Sequence, residues 1–324
     1  MSAPVRVGTR RSLLATTQAG QVADLIRTRL GRETELVEIT TDGDRSQAAG
    51  TPITDVPASN TGVFVGALRD ALLDGRVDVA VHSLKDLPTA PAAGITLAAV
   101  PEREDPRDVV VARDGLTLGE LPVGSRVGTG SPRRAAQLHA LGLGLEIVGV
   151  RGNVDSRVRM VHDGTVDAVI LARAGLARID RLAEVTEVLD PLQMLPAPGQ
   201  GALGVECRSD DALATELAGL DDPRSRAAVQ AERAVLATLE GGCSAPIGAL
   251  ADVVEGDDGD ELWVRAVALS LDGALSVRMS ASGATADAIG VGNRLASDML
   301  ADGAGQLDPP AADPATDEPP EVQP

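Results

Sequence analysis

The chain has 324 residues, 44% hydrophobic and 24% charged, a size and composition that predict two or three domains with hydrophobic cores. A net charge of -19 and the near absence of aromatic residues, Phe64 and Trp263 alone among Phe, Trp and Tyr, argue against nucleic-acid binding. Cys207, Cys243 and three scattered histidines show no metal-ligand spacing, so no metal site is expected.

Neither a signal peptide nor a membrane-spanning run is recognisable in the sequence. We therefore expect a soluble, cytoplasmic protein whose thiols stay reduced. Cys207 ends an apolar strand and is expected to be a small buried hydrophobic residue.

The first part of the chain alternates predicted strands and helices. The pattern predicts a strand at 5–9, a helix capped by Ser12 that runs to about Leu30, a strand at 36–39, a helix at 64–74 and a strand entering His82. The long polar segment 41–62, interrupted by Gly and Pro, has the length of a lid or binding loop.

Two short segments recur in the same order later in the chain. Arg6-Val7-Gly8-Thr9 returns as Arg126-Val127-Gly128-Thr129, and Asp74-Gly75-Arg76-Val77-Asp78 returns as Asp163-Gly164-Thr165-Val166-Asp167. The matched order predicts two similar α/β lobes with mainly parallel sheets. Ligands bind such sheets at the carboxyl ends of the strands, so the site is expected between the lobes.

The rest of the chain predicts a return crossing and a third domain. A Pro/Gly cluster at 196–201 precedes an apolar strand at 202–206, which we assign to the first lobe. A helix over 224–239, strands around 247–254, 262–270 and 274–281, and a helix around 285–301 predict a small α+β domain. The acidic, Pro-rich tail is expected to be disordered. The predicted boundaries are 1–103 with 201–220, 104–200, 223–302, and 303–324 for the tail.

Arginines are concentrated in the second predicted lobe. The segment 124–178 holds eight arginines and four acidic residues, a local charge of +4 in a chain of -19. Several stand where helices follow strands, and both helix N-termini and guanidinium groups favour carboxylates or phosphates. Without a GxxxxGK[ST] or strand-linked GxGxxG motif, a polycarboxylate is the expected ligand. Local surface pairs suffice for Arg159 and Arg173.

Two positions indicate chemistry. The chain's one lysine, Lys85, stands beside Asp86 among 28 arginines, which indicates either a need for a compact ammonium or chance survival. Cys243 lies on a Gly-flanked loop with no histidine close in sequence to act as its base. A thiol that reacts once and stays attached fits this setting better than a turnover nucleophile.

Six segments, in this order, resemble the porphobilinogen deaminase family, also called hydroxymethylbilane synthases, and the resemblance runs from Arg6 to about Ala301. These segments are Gly8–Ser12, His82–Pro88, Gly128–Arg134, Arg151–Arg157, Pro198–Gly201 and Glu240–Cys243. The resemblance implies two lobes like those of a type II periplasmic binding protein, a small C-terminal domain, a monomer, and a dipyrromethane cofactor held by a thioether to Cys243.

The resemblance also implies an activity. Four porphobilinogen molecules would join head to tail on the dipyrromethane primer, each losing ammonia, and water would release hydroxymethylbilane, a linear tetrapyrrole of haem biosynthesis. Asp86 matches the family residue that stabilises the azafulvene cation left when ammonia departs, and Lys85 matches a ligand of side-chain carboxylates. Further cofactor-binding residues implied by the resemblance are Ser83, Thr129, Ser131, Arg133, Arg134, Arg151 and Asp44. The implied substrate-binding residues are Arg10, Ser12, Arg157, Arg178 and Gln200.

One departure and two alternatives remain. The family commonly has a lysine shortly before the lid Phe, whereas Asn60-Thr61-Gly62-Val63-Phe64 has no basic residue. A two-lobed binding protein for a polycarboxylate, without catalysis, would need neither Cys243 nor a third domain. An unrelated cysteine-dependent transferase would predict a base close to that cysteine.

Overall fold

We analysed a computed structural model, which describes residues 3–39, 61–240, 245–256 and 259–307, without the side chains of 61–64. Within these ranges, no helix has the length and apolar character needed to cross a membrane. The described strands form two five-stranded sheets and one three-stranded sheet.

The elements largely follow the predicted order. The strands are β1 (Val5–Thr9), β2 (Thr34–Glu38), β3 (Val79–Ser83), β4 (Ile95–Ala99), β5 (Asp108–Ala112), β6 (Arg126–Thr129), β7 (Glu146–Gly149), β8 (Ala168–Ala172), β9 (Glu187–Val188), β10 (Leu203–Arg208), β11 (Ile247–Gly256), β12 (Gly259–Leu269) and β13 (Ser276–Ala284). The α-helices are α1 (Leu13–Leu30), α2 (Thr61–Leu73), α3 (Pro132–Ala140), α4 (Val154–His162), α5 (Arg173–Arg178), α6 (Leu213–Leu217), α7 (Pro223–Glu240) and α8 (Ala288–Ala301).

The two lobes have the same strand order. The first sheet runs β2-β1-β3-β10-β4 and the second runs β7-β6-β8-β5-β9. In each sheet the fourth strand is antiparallel to both neighbours, and the first three are parallel. That antiparallel strand follows directly after the chain crosses from the other lobe. The prediction of two similar, mainly parallel lobes is therefore confirmed.

Local sequence sets the bounds of α1 as predicted. The Ser12 hydroxyl accepts a hydrogen bond from the Ala15 amide at 3.3 Å, and Gly31 ends the helix with a φ of 64°. The buried face of α1, which includes Val22 and Ile26, packs in one core with strands of the first sheet. Cys207 lies fully buried in the same core, as expected of a small hydrophobic residue.

The third unit is an antiparallel sheet, β11-β12-β13, with α7 and α8 packed on one face. Ala304 and Leu307 are buried in its core. The prediction that a disordered tail starts at Gly303 is therefore wrong for 303–307, since apolar side chains there still have a core to join. Residues 308–324 lie outside the described part. We propose the other domain boundaries as predicted, with the third domain extended to Leu307.

The third domain is bound where the chain crosses between the lobes. Glu232 of α7 is fully buried and receives both terminal nitrogens of Arg103, at 2.7 and 2.9 Å. The same carboxylate accepts hydrogen bonds from the amides of Gly199, at 2.6 Å, and Ala251, at 2.9 Å. One side chain thus links both crossing segments to a strand of the third domain.

Candidate active site

Lys85 and Asp86 lie on a short 3-10 turn that follows β3. Leu84 and Leu87 are buried and fix the turn against the first lobe, while Lys85 and Asp86 have exposed surface. The Leu84 amide donates to the carbonyl of Ala202 at 3.0 Å, which ties the turn to the start of β10. The Asp86 carboxylate accepts no hydrogen bond from the described residues, so it is available to a ligand.

Lys85 connects this turn to the second lobe. Its ammonium donates to Oε1 of Gln200 at 3.3 Å. Although the residue has solvent-accessible surface, protein atoms crowd the ammonium, and this desolvation lowers the pKa of Lys85 to about 8. The Asp86 carboxylate opposes the lowering, and the positive charge of Arg134 adds to it.

Asp108, at the start of β5, organises the arginines of the second lobe. Its carboxylate is fully buried and accepts from Arg133 at 2.8 Å, Arg134 at 2.7 Å and Gln200 at 2.7 Å. Burial would raise the pKa of Asp108, but the two guanidinium charges and the hydrogen bonds outweigh it and hold that pKa well below its usual range. Lys85 and this arginine pair thus share one network through Gln200.

The structure changes what Arg133 and Arg134 were expected to face. Both are buried, and their terminal nitrogens bind Asp108 together with the carbonyls of Leu195 and Ile170. The guanidinium groups that were predicted to hold ligand carboxylates are therefore directed at a carboxylate of the protein itself. Their Nε atoms have no hydrogen-bond partner among the described residues.

Gln200 is bonded to other residues of the protein. It was predicted to bind substrate, but its side chain is fully buried. Its amide nitrogen donates to Asp108 and to the carbonyl of Pro106, both at 2.7 Å, and its amide oxygen accepts from Lys85. An amide without exposed surface acts on a ligand only indirectly, here by fixing Lys85 relative to Asp108.

The predicted hydroxyl ligands already accept hydrogen bonds from the protein. Ser131 caps α3 by accepting from the Arg134 amide at 3.4 Å, and Thr129 accepts from the Ser131 amide at 3.2 Å. Ser83 accepts from the Gln18 side chain at 2.8 Å. Because each oxygen is used as an acceptor, its hydrogen can be directed at a ligand carboxylate.

Four further predicted arginines lie in or just after secondary-structure elements. Arg10 follows β1, and the exposed Arg151 follows β7. Arg157 donates to the carbonyl of Gly152 at 3.0 Å, and desolvation, with the charge of Arg134, lowers its pKa. Arg178 lies elsewhere, at the crossing between lobes, where it donates to the carbonyl of Gly201 at 2.6 Å and desolvation lowers its pKa to about 10.

Some predicted residues lie outside the described part of the chain, and two residues at the site were not predicted. Cys243, Asp44 and the lid segment up to residue 60 lie outside the described residues. Two residues that were not predicted position others at the site: Gln18 binds Ser83, and Asp108 binds the arginine pair. An acidic residue opening the apolar run Val109–Val111 was the one available signal for Asp108. No comparable signal marks Gln18, which is buried on the apolar face of α1.

Two family models match the chain. "Porphobilinogen deaminase, dipyromethane cofactor binding domain" matches residues 5–216, and "Porphobilinogen deaminase, C-terminal domain" matches residues 227–301. Among solved structures, a periplasmic substrate-binding protein of an ABC transporter from Coxiella burnetii is 15% identical. It has a TM-score of 0.42 and covers 68% of this chain and 94% of that one.

Curated relatives match over nearly the whole length. Porphobilinogen deaminase of Mycobacterium marinum is 57% identical, covering 94% of this chain and 96% of that protein. The Nocardia farcinica enzyme is 56% identical over 94% and 88%, and that of Mycobacterium tuberculosis is 57% identical over 94% and 98%. The chain therefore belongs to the porphobilinogen deaminase family.

Proposed function

We propose that this protein is a porphobilinogen deaminase, a transferase of the hydroxymethylbilane synthase class. It condenses porphobilinogen stepwise, with loss of ammonia, and releases hydroxymethylbilane for tetrapyrrole biosynthesis. The observation that carries the proposal is the contact of Lys85, next to an available Asp86, with the Gln200–Asp108 network that holds two arginines of the other lobe. The arrangement places a carboxylate that can stabilise a developing cation near donors that can bind the acidic side chains of a pyrrole ligand.

A dipyrromethane cofactor fits this donor set. When bound, it supplies the covalently held primer to which pyrrole units are added. Its acetate and propionate groups suit guanidinium, ammonium and hydroxyl donors, and the Nε atoms of Arg133, Arg134 and Arg178 are buried without a partner among the described residues. We propose Cys243 as its attachment point. The other proposed cofactor ligands are Lys85, Ser83, Thr129, Ser131, Arg133, Arg134, Arg151 and Asp44.

Asp86 is the proposed catalytic residue. When ammonia leaves the substrate's aminomethyl group, positive charge spreads onto the pyrrole nitrogen. A carboxylate beside that N–H stabilises this charge and can exchange a proton with it. Its availability supports the role, because a carboxylate already bound to an arginine would be less free to respond. We propose that Arg10, Ser12, Arg157 and Arg178 bind the substrate's carboxylates.

The proposed setting follows from the same chemistry. The protein acts as a cytoplasmic monomer on a small, diffusible substrate and has no nucleic-acid or membrane partner. The net charge of -19 supports the exclusion of nucleic acid, because a polyanion would be repelled over most of the surface.

Intact-mass spectrometry combined with turnover of porphobilinogen tests the proposal. We expect a mass above that of the sequence by two linked pyrrole units, lost in Cys243→Ser. Asp86→Asn is expected to keep the added mass but to lose most turnover, because the cation is no longer stabilised. An active protein of unmodified mass would exclude the covalent cofactor. Binding of porphobilinogen without consumption would favour a binding protein instead.

A further inference from the structure

An arginine of the third domain binds the backbone of the turn that bears Asp86. Arg233, on α7 of the third domain, donates to the carbonyl of Leu87 at 2.9 Å and to that of Pro88 at 2.6 Å. A longer contact, at 3.4 Å, reaches the carbonyl of Leu84. One guanidinium thus binds carbonyls on both sides of Asp86, which is the geometry of a backbone clamp.

A second hydrogen bond joins the same helix to Thr89, the residue that follows the turn. The Thr89 hydroxyl donates to the carboxylate of Glu240 at 3.1 Å. Glu240 is the last residue of α7 and lies three positions before Cys243. The two contacts, at positions 233 and 240, are about 10 Å apart along the helix axis, given a rise of roughly 1.5 Å per residue. The helix is therefore joined to the chain at two points, at the turn itself and at the residue that follows it.

The residue that precedes the turn is also fixed. His82, just before the turn, lies 3.2 Å from the carboxylate of Glu206, which Arg69 binds through two nitrogens at 3.0 and 2.7 Å. Desolvation lowers the pKa of Arg233, and the charge of Glu206 partly offsets this effect. Arg233 is therefore a half-buried cation between a charged cluster of the first lobe and the backbone of the turn.

We propose that Arg233 is a positioning residue: it holds the Leu84–Pro88 turn on α7, and so sets the place of Asp86 relative to the third domain. This inference rests on the proposed function. It assigns to the third domain a part in the geometry of each condensation step, in addition to bearing the cofactor. Because Arg233 contacts only backbone atoms of the turn, its effect on the reaction passes through Asp86.

Arg226 provides a matched control on the same helix. Its Nη2 contacts the carbonyl of Ala98, on β4, at 3.2 Å, and its Nε binds Asp221 at 2.6 Å. It therefore also joins α7 to the first lobe through a backbone carbonyl, but away from the turn. If α7 merely docks the third domain, the loss of either arginine should have the same effect.

The test compares Arg233→Met, Arg233→Lys and Arg226→Met, each as full-length protein with its cofactor content measured by intact mass. In Arg233→Met, the amide hydrogens of residues 84–87 and 89 should exchange faster with solvent. The kcat should fall about tenfold to a hundredfold with little change in KM, because misplaced reacting groups cost rate. Arg233→Lys should lie between this variant and the wild type, since one ammonium reaches fewer carbonyls. Arg226→Met should leave both measurements near those of the wild type.

Equal effects of Arg233→Met and Arg226→Met, or unchanged exchange and kcat in Arg233→Met, would overturn the clamp. If Arg233→Met does not fold, Arg233→Lys decides, and wild-type exchange and kcat there would overturn the proposal. A wild-type protein that consumes no porphobilinogen would remove the proposed function. The exchange measurement would still report whether Arg233 holds the turn.

Discussion

Charges at the site are held by other charges of the protein more than by solvent. Asp108 binds two buried arginines, and Gln200 carries that network to Lys85. The lone lysine thus lies where its charge is weakly solvated and where two nearby arginines disfavour it. A small side chain that can lose its proton behaves differently here from an arginine, which cannot.

This difference predicts the pH dependence of activity. Folded Lys85, with a pKa of about 8, loses its charge as the pH rises through that value, well before an ordinary lysine at 10.5. A carboxylate of the bound cofactor is then held less well, so kcat/KM should fall above about pH 8, as free-enzyme groups govern that parameter. Lys85→Arg, which stays charged, should lack this alkaline decline at whatever rate it retains. An identical decline in the variant would assign it to another group, and full activity would make the lysine dispensable.

At the scale of elements, the two crossing segments fix how the lobes are joined. The amide of Glu104 donates to the carbonyl of Gly201 at 3.3 Å, and Arg178 donates to the same carbonyl at 2.6 Å. Gly201 has a φ of +87°, and a Cβ there would lie 2.3 Å from the carbonyl oxygen of Glu104. The backbones approach so closely that a side chain has no room.

Gly201→Ala should therefore destabilise the protein by more than backbone strain alone, which is about 1–3 kcal/mol for such a conformation. The added methyl would have to push apart two backbone segments. Gly31→Ala is the control, because Gly31 also has a positive φ, of +64°, but nothing lies within 4 Å of its Cβ position. Urea unfolding of both variants measures the difference. If the free energy of unfolding falls no more in Gly201→Ala than in Gly31→Ala, the two backbone segments can move apart at little cost.

Sequence patterns predicted the secondary-structure elements more accurately than they predicted side-chain contacts. Caps and periodicity predicted α1 closely, and the repeated segments around Gly8 and Gly128 predicted β1 and β6, which occupy the same place in the two sheets. The use of each polar side chain was harder to predict. Whether Arg134 faces a ligand or Asp108 depends on residues 26 positions apart along the chain, and no local pattern encodes that contact.

For the whole molecule, the third domain binds both lobes. Glu232 holds the crossing segments, and Leu250 and Val267 of the third sheet pack against Ala136 and Leu195 of the second lobe. Each lobe also contains a deeply buried carboxylate, Glu206 in the first and Asp108 in the second. Stability therefore depends on acidic groups that remain ionised inside the protein.

Acid should weaken this arrangement in a defined direction. The folded pKa of Asp108 lies below its usual value of 3.8, so its stabilisation is complete above that value and is lost as the pH falls toward the folded pKa. Asp108→Asn should lower the free energy of unfolding at pH 7 by about 3–5 kcal/mol, because two arginines stay buried without their partner. The free energy of unfolding of this variant should also fall less between neutral and acid pH than that of the wild type, because residue 108 then has no carboxylate to protonate.

Asp252→Asn is the control for this prediction. Asp252 binds Arg265 at 2.6 Å, but its side chain is 44% exposed, and such a pair is worth about 1 kcal/mol or less. Denaturant unfolding at pH 7 and at pH 3, below the unfolded pKa of 3.8, compares the two variants. Equal losses would mean that the buried position of Asp108 confers no special stability.

The shared strand order has a consequence for how the chain is made. The second sheet is complete once synthesis reaches β9 at Val188, because its strands all lie between Asp108 and that residue. The first sheet contains β10 between β3 and β4, so it cannot close until Arg208 has emerged. Domains of large proteins generally fold as units during synthesis. The lobe that begins first at the ribosome is thus the second to be completed, and the turn that bears Asp86 borders an open gap in its sheet until then.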